Sequence, residues 1–273
     1  MALSGSPRPL PRGDKTRPAP ADRSADGVGV VDLAEKKLTR VLAAGTDPAC
    51  FDFSPDGRTI YVSNGEAGEL SVVDLASGAL RAKVLVGADA EGVTVRPDGK
   101  FVYVTSNAYA EVTMIDTATL AAVAQIPTGP RSRAIVFTKD GRTAFVTSEL
   151  DSVTVLDVAA NRPSGTILFD PGDRSAPDPR PMGAVFSPDG NELYVSCGHG
   201  GSVVVVDVAT RKQLQLYQRV GDQPWGIGIS HDGTRLYTAN GPSDDISVVN
   251  AATGGVLSRV AVGRLPFGIA VTD

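Results

Sequence analysis

A four-residue turn ending in Asp-Gly recurs five times along the chain, and this repetition limits the fold more than any other feature of the sequence. The glycines that close successive turns are 42, 42, 49 and 43 residues apart. The five turns are Ser54–Gly57, Arg96–Gly99, Thr138–Gly141, Ser187–Gly190 and Ser230–Gly233. A second landmark, an apolar run closed by Asp or Asn, recurs at Asp32, Asp74, Asp116, Asp157, Asp207 and Asn250. Two independent landmarks with nearly the same period indicate a repeat of about 42 residues.

Each repeat has the pattern of four short antiparallel strands. Asp accepts hydrogen bonds from nearby backbone N–H groups and Gly adopts the left-handed conformation, so the Asp-Gly turn joins two strands as a hairpin. One repeat gives the strands Phe51–Phe53, Ile60–Val62, Leu70–Val73 and Lys83–Val86. Several strands are apolar at consecutive positions, which is typical of sheets covered on both faces. Repeats of four such strands are the blades of a β-propeller.

We therefore predict an all-β protein, a β-propeller of four-stranded blades. Residues 28–273 contain five complete blades and an incomplete closing blade, and the parent fold has six or seven blades. For the closing blade, the C-terminus supplies an innermost strand at Phe267–Val271. The N-terminus supplies a third strand around Val28–Val31 and a fourth around Leu38–Leu42. The second strand, expected near residues 16–22, is missing.

The N-terminal segment, residues 1–27, differs in composition from the repeats. It is rich in Pro, Arg, Asp, Ser and Ala and has no apolar periodicity, so we predict that it is disordered. It also lacks the apolar core of a signal peptide. Our hypothesis is that the native beginning was lost through a misplaced start or a frameshift. The nucleotide sequence upstream tests it, because a further repeat or a signal sequence should lie there.

The charge of the chain argues against nucleic acid and anionic lipid as partners. The formal net charge is −5 at pH 7, but residues 1–24 hold five basic and two acidic side chains, so residues 25–273 carry −8. An acidic propeller has no general attraction for these polyanions. No stretch approaches the roughly 18 uninterrupted apolar residues of a membrane-spanning helix. We expect no nucleic-acid binding, no membrane insertion and a monomer.

The end of the second strand resembles a known repeat. Three blades read Tyr61-Val62-Ser63-Asn64, Tyr103-Val104-Thr105-Ser106 and Tyr237-Thr238-Ala239-Asn240. These residues resemble the Tyr-Val-Thr-Asn repeat of the YVTN β-propeller family, over about residues 28–273. Together with the Ser-Pro-Asp-Gly turns and Val-Val-Asp strands, the pattern is most similar to bacterial β-propellers associated with catabolism that depends on pyrroloquinoline quinone (PQQ). The resemblance implies an exported, non-enzymatic protein located in the periplasm or outside the cell.

Candidate binding residues lie in the loops that should surround the mouth of the propeller channel. Because the blades are near copies, positions at which they differ are better candidates than positions that repeat. One such position reads Ala49, Glu91, Arg133, Met182, Trp225 and Phe267. We predict that a small polar ligand or a protein partner binds at the mouth. The predicted site residues are Glu91, Tyr109, Arg133, Arg180, His199, Trp225 and Phe267. The alternative is that they are ordinary solvated side chains.

Two further features of the loops bear on function. Cys197 and His199 could in principle bind a metal or act as nucleophile and base, but one pair does not make a site. We favour a glycine-rich hairpin with an incidental thiol, and predict that Cys50 and Cys197 are both unpaired. An insertion of seven or eight residues falls in Asp170–Pro181, which contains four prolines. We predict that it overhangs the mouth as a lid or a docking loop.

The sequence contains no catalytic template: no nucleophile elbow, no phosphate-binding glycine loop and no zinc-binding helix motif. We therefore predict no catalytic residue, no metal site and no cofactor. A non-catalytic binding or scaffold propeller is favoured, and the resemblance implies an exported accessory factor of PQQ-dependent alcohol catabolism. Two alternatives stay open. A lactonase-like hydrolase would need a convergent cluster at the channel mouth such as Glu91, Arg133 and His199, and a cell-surface structural or adhesion module would need none.

Overall fold

The structure is a computed structural model that describes residues 1–3, 24, 26–150, 152–172 and 178–272. The chain divides into two compact units, Met1–Pro127 and Thr128–Asp273. Nearly all regular structure in the described residues is β-strand. No helix among them has the length and apolar character needed to cross a membrane.

The first unit contains one small sheet and two four-stranded sheets. The strands of the small sheet are β1 (Ala2–Leu3), β2 (Gly27–Asp32) and β3 (Lys37–Leu42). The second sheet has β4 (Pro48–Phe53), β5 (Thr59–Asn64), β6 (Glu69–Asp74) and β7 (Leu80–Leu85). The third has β8 (Ala90–Val95), β9 (Phe101–Ser106), β10 (Glu111–Asp116) and β11 (Ala122–Pro127).

The second unit contains three four-stranded sheets. The first has β12 (Ser132–Phe137), β13 (Thr143–Ser148), β14 (Ser152–Asp157) and β15 (Arg162–Leu168). The next has β16 (Pro181–Phe186), β17 (Glu192–Cys197), β18 (Ser202–Asp207) and β19 (Lys212–Tyr217). The last has β20 (Pro224–Ile229), β21 (Arg235–Asn240), β22 (Asp245–Asn250) and β23 (Val256–Ala261).

In every four-stranded sheet the strands pair antiparallel in chain order. This is the arrangement of a propeller blade, and it confirms the predicted fold class: an all-β propeller with five complete blades and one incomplete one. The predicted third and fourth strands of the incomplete blade correspond to β2 and β3.

The Asp-Gly turns form as their chemistry requires. In the first of them the Ser54 hydroxyl donates to Asp56 Oδ1 at 2.6 Å, and the same carboxylate oxygen accepts the backbone N–H of Arg58 at 3.1 Å. Gly57 has a φ of +68°, in the left-handed region that glycine enters without steric cost. The Ser187 hydroxyl donates to Asp189 in the same way at 2.5 Å. The same side-chain hydrogen bond therefore stabilises both turns.

The core lies between neighbouring blades and is built by their second and third strands. In the second unit, Phe145 and Val155 of one blade are buried with Leu193 and Val204 of the next. In the first unit, Tyr61 and its neighbours pack in the same way with the following blade. Because each sheet is covered on both faces, the second and third strands are apolar at consecutive positions.

The two chain ends differ from expectation. The predicted strand at Phe267–Val271 is wrong, because residues 262–272 form no strand. This segment lies against β20, with Ile269 and Val271 facing Gly228, and the described residues give it no ladder of backbone hydrogen bonds. At the other end, Ala2 and Leu3 pair with Val28 and Gly27. The predictions of disorder in residues 1–27 and of a missing strand near residues 16–22 fall mainly on residues 4–23 and 25, outside the described residues.

Candidate functional site

The loops that join second to third strands, and those that join consecutive blades, lie at the same end of each sheet. We call this end of the second unit the loop face. A repeated hydroxyl supports its inner strands: it accepts an N–H from the first strand of its own blade, as Thr147 does from Ala134 at 2.9 Å and Ser196 from Gly183 at 3.0 Å. The same hydroxyl donates to a carbonyl of the next blade. In the second unit, Thr147 and Ser196 therefore each link their own blade to the next at this end.

The carbonyls that receive these hydroxyls belong to the position at which the blades differ. Thr147 donates to Met182 O at 2.6 Å and Ser196 to Trp225 O at 2.8 Å. In the first unit Ser63 makes the equivalent bond to Glu91 O. The backbone at Glu91, Met182 and Trp225 is thus held by the same contact, whereas the side chain at this position varies from blade to blade.

The first feature of the loop face is an ion cluster around Glu149. This carboxylate is 5% exposed and follows β13. Its Oε2 accepts Arg133 Nε at 3.0 Å and Nη2 at 2.6 Å, and Arg131 Nη2 lies 3.1 Å from the same oxygen. Arg133 is buried for the most part, while about half of Arg131 is exposed. The cluster holds the Arg133 guanidinium in a fixed orientation, which is what recognition of a carboxylate or phosphate requires.

The second feature of the loop face is an aromatic contact. The rings of Trp225 and Phe267 have centroids 5.7 Å apart and planes inclined by 48°. Gly241 permits this placement, because a Cβ there would lie 2.1 Å from the indole ring. Gly198 lies between Met182 and Trp225, and its Cβ would contact both. The result is an apolar surface that Phe267, 44% exposed, continues to solvent.

The third feature is an open cavity of about 570 Å³. Its walls come from the loop after β17, the loops on either side of the β16–β19 blade, and β23. The polar side chains among its described lining residues are His199, Ser202, Gln218, Arg219, Asp222, Gln223 and Arg259. Arg259 Nη1 lies 3.8 Å from Asp245 Oδ2, a long ion pair with much of the guanidinium exposed.

The predicted site residues are distributed over these features. Trp225 and Phe267 are in contact, Arg133 is paired with Glu149, and His199 lines the cavity. Arg180 precedes β16, and its carbonyl accepts the N–H of Gly198 at 2.9 Å. The remaining two residues belong to the first unit. Glu91 is half-buried on β8, and Tyr109 is 62% exposed in the loop after β9. Their joint role as one site stays a prediction.

Sequence reasoning did not select Glu149 or Arg219, although each had a signal. The Asp landmarks on either side of Glu149 are 41 residues apart instead of 42, because the hairpin after β13 is shorter. The glycines on either side of Arg219 are 43 apart, because the loop after β19 is longer. In a repeat protein, such changes in length mark loops with a conformation of their own.

Cys197 and His199 are not arranged as a catalytic pair. Cys197 is fully buried at the end of β17, whereas His199 is exposed in the loop beyond it. Burial strongly raises the pKa of the Cys197 thiol, and the reactive form of a cysteine is the thiolate. The described residues include no group of three or more His, Cys, Asp or Glu that could hold a metal ion.

Comparison with known proteins identifies two matching family models. The model described as "Lactonase, 7-bladed beta-propeller" matches residues 92–263, and the one described as "Cytochrome D1 heme domain" matches residues 21–160. Among solved structures, a chain of Kuenenia stuttgartiensis hydrazine synthase is similar, with a TM-score of 0.77 and 22% sequence identity. The similarity covers 89% of this chain and 82% of that one. At this identity it shows the fold alone. No curated protein sequence matches the chain.

The haem named in the second description would lack its two commonest protein ligands within the matched residues. Haem iron in proteins is commonly held by an imidazole or a thioether. Both histidines, His199 and His231, lie outside residues 21–160. The one methionine within that range, Met114, is buried inside β10. This part of the chain therefore offers haem neither an imidazole nor an accessible thioether.

Proposed function

Because the chain belongs to the β-propeller family described as Lactonase, 7-bladed beta-propeller, we propose that it is a binding propeller whose loop face holds a small organic anion with a ring. The observation that carries this proposal is the row of equivalent positions formed by Arg133, Met182, Trp225 and Phe267. The carbonyls of Met182 and Trp225 accept the repeated hydroxyl contact, and the side chains of the row combine an anchored cation with an aromatic surface.

The two parts of the row suit the two parts of such a ligand. The Arg133 guanidinium is oriented by Glu149 and keeps about a fifth of its side-chain surface accessible, so an anionic group can reach it without reorganisation. Trp225 and Phe267 offer ring faces and edges to an apolar group. Arg133, Met182 and Trp225 lie on the first strands of the three blades of the second unit, and Thr147 and Ser196 donate to the carbonyls of Met182 and Trp225.

Hydrolysis is the second candidate, because the matching family model is described as a lactonase and spans residues 92–263, which include the Glu149 cluster. Lactone hydrolysis needs a group that takes a proton from water. Glu149 Oε2 already accepts from Arg133 and lies 3.1 Å from Arg131, so this oxygen is committed to cations. For this reason we place binding before catalysis.

Trp225 is the only tryptophan of the chain, so its fluorescence reports directly on the proposed site. We expect saturable quenching and a raised melting temperature with aromatic carboxylates. PQQ, a quinone with three carboxylates, is the first probe, because the resemblance to PQQ-associated propellers supports export and an accessory role in alcohol catabolism. A simple lactone is the second probe.

Two variants examine the site. Arg133→Lys keeps the charge but loses the forked contact, and Phe267→Ala removes the second ring, so each should weaken binding by about tenfold or more. Arg58→Lys, in a turn of the other unit, is the matched control and should change nothing. If no organic anion quenches Trp225, the proposal fails. If a lactone is turned over and Glu149→Gln abolishes the turnover, hydrolysis replaces binding as the function.

A further inference from the structure

The 570 Å³ cavity of the second unit lies outside the row of Arg133, Trp225 and Phe267. Its walls include Pro171 and Pro179 from the loop before β16, Gln218 and Arg219 from the loop after β19, and Arg259 from β23. Cavities of a few hundred Å³ are the size that proteins use for small-molecule ligands.

The cavity is bordered by both loops in which the repeat grows longer. From the closing Asp of one blade to the turn Gly of the next, three intervals are 25 residues long. The interval from Asp157 to Gly190 is 33, and that from Asp207 to Gly233 is 26. The first contains Pro171 and Pro179, and the second contains Arg219. Since a propeller needs neither insertion to form its blades, their meeting at one cavity indicates a local role.

The shorter insertion places a cation at the cavity. Arg219 has a φ of +58°, a conformation that costs energy for a residue with a side chain. The next residue, Val220, is buried and donates its N–H to Gly201 O at 2.9 Å, which closes the loop over the turn after β17. The loop after β19 is one residue longer than the corresponding loops of the three 25-residue intervals, and Arg219 lies in this longer loop. The hydrogen bond from Val220 N–H to Gly201 O holds the loop in place beside the cavity.

The polar side chains around the cavity are largely uncommitted. Within the described residues, the side chains of His199, Gln218 and Arg219 make no hydrogen bond or ion pair, and Arg259 has only its long ion pair with Asp245. Among the described residues that line the cavity, Asp222 is the one acidic side chain. Two guanidinium groups, amides and an imidazole thus face one space in a chain whose residues 25–273 carry −8.

We propose that this cavity is a second ligand site, which binds a small anion bearing hydroxyl groups. The guanidinium groups of Arg219 and Arg259 would bind its carboxylate or phosphate, for which their forked geometry is suited. The amides of Gln218 and Gln223, which both donate and accept hydrogen bonds, would bind its hydroxyls. This site does not depend on the function proposed above, because it shares none of those side chains.

The test uses calorimetric titration of the full chain with tartrate, glycerol phosphate and inorganic phosphate, with uncharged glycerol as the matched neutral probe. Binding of tartrate alone identifies a hydroxylated carboxylate, and binding of glycerol phosphate alone identifies a hydroxylated phosphate. Both outcomes support the proposal. Binding of inorganic phosphate alone, or of none of the four probes, overturns it.

Arg219→Gly is the decisive variant, because glycine accepts the φ of +58° and the substitution removes the guanidinium without new strain. It should raise the dissociation constant at least tenfold. Arg211→Gly is the matched control: Arg211 has a φ of +57° in an exposed turn and does not line the cavity, so binding should be unchanged. Equal affinities in wild type and Arg219→Gly would overturn the proposal. Arg133→Lys should leave this binding intact, which separates it from the first site.

Discussion

At the scale of single residues, Glu149 stands out on the loop face as a buried carboxylate that depends on two arginine partners. Its carboxylate is almost fully enclosed and holds two guanidinium groups. Removing one partner of a fully buried ion pair costs about 3–5 kcal/mol, but Arg131 and Arg133 keep some contact with water, so the loss here should be smaller. We expect Glu149→Gln to lower the free energy of unfolding by about 1–3 kcal/mol, measured by urea titration.

The control for Glu149 is the more exposed of its two partners. Arg131 is 47% exposed, and exposed ion pairs contribute about 0–1 kcal/mol. Arg131→Gln should therefore cost less than about 1 kcal/mol. If the two substitutions are equally destabilising, burial of Glu149 does not govern the stability of the cluster.

The two cysteines should differ in reactivity. Cys197 is fully buried and burial raises the pKa of its thiol, whereas Cys50 is half-buried. Alkylation of the folded protein with iodoacetamide at pH 8 should modify Cys50 first and leave Cys197 intact until the chain unfolds. Mass spectrometry of digested samples checks this. Rapid labelling of Cys197 in the folded protein would contradict its enclosed position.

The row of differing residues was predictable because repeats can be aligned by their turns, so that Arg133, Trp225 and Phe267 are seen to be equivalent. The partner of each side chain was not. Glu149 lies in the hairpin after β13, which is one residue shorter than in the other blades, and it pairs with Arg133. The direction of a side chain in a shortened loop cannot be read from the sequence. The composition of the loop face therefore follows from the sequence, while its contacts need the structure.

At the scale of strands, the repeated hydroxyl should contribute more to the free energy of unfolding than an ordinary surface hydrogen bond does. Ser196 Oγ lies between Gly183 N, which donates to it, and Trp225 O, to which it donates. Ser196→Ala leaves both groups without this partner, and an unsatisfied buried polar group costs about 1–3 kcal/mol. We expect a loss of that size in urea unfolding, together with a shifted emission maximum of Trp225.

Threonine provides the control for this strand position, because the equivalent residues of two other blades are Thr105 and Thr147. Ser196→Thr keeps the hydroxyl and should retain most of the stability and the emission maximum. A Ser196→Ala protein that unfolds like wild type would mean that the link between blades is dispensable.

Strands were predictable where their partners are adjacent in sequence, and not where a partner must come from elsewhere. β21 and β22 form beside each other because a short hairpin joins them. Phe267–Val271 has an equally apolar pattern, but a strand is defined by the hydrogen bonds of a neighbour, and the described residues provide none for it. The apolar residues of this segment pack on β20, and the predicted innermost strand of the closing blade was wrong.

At the scale of the whole molecule, the period of the sequence determined the fold class, because one turn chemistry is repeated in every complete blade. The same repetition gives the molecule a common response to acid. The pKa is lowered at the aspartate of all five Asp-Gly turns and at three of the aspartates that close a strand, with Asp74 and Asp232 at about 2. At Asp232 the main cause is the hydrogen bond from Ser230, and at Asp74 it is the backbone N–H of Ser77. The others are Asp56, Asp98, Asp116, Asp140, Asp189 and Asp207.

The sign of this response follows from linkage. A carboxyl whose pKa falls on folding stabilises the folded state above its ordinary pKa of 3.8, and this contribution is lost as the pH drops toward about 2. We expect the unfolding free energy to be nearly constant above about pH 5 and to fall between about pH 4 and 2, as measured by urea titration. The stability lost in Asp232→Asn should be present at pH 7 and should shrink over the same interval.

Asp52 gives a control of opposite sign. Burial raises the pKa of this carboxyl, more than the bonds from the N–H groups of Val95 and Phe53 lower it. Its ionised form is therefore disfavoured by folding, so acidification removes a destabilising contribution. The stability of wild type relative to Asp52→Asn should rise as the pH falls, whereas relative to Asp232→Asn it should decline. If both differences move in the same direction, the acid response arises from the net charge of the molecule and not from its turns.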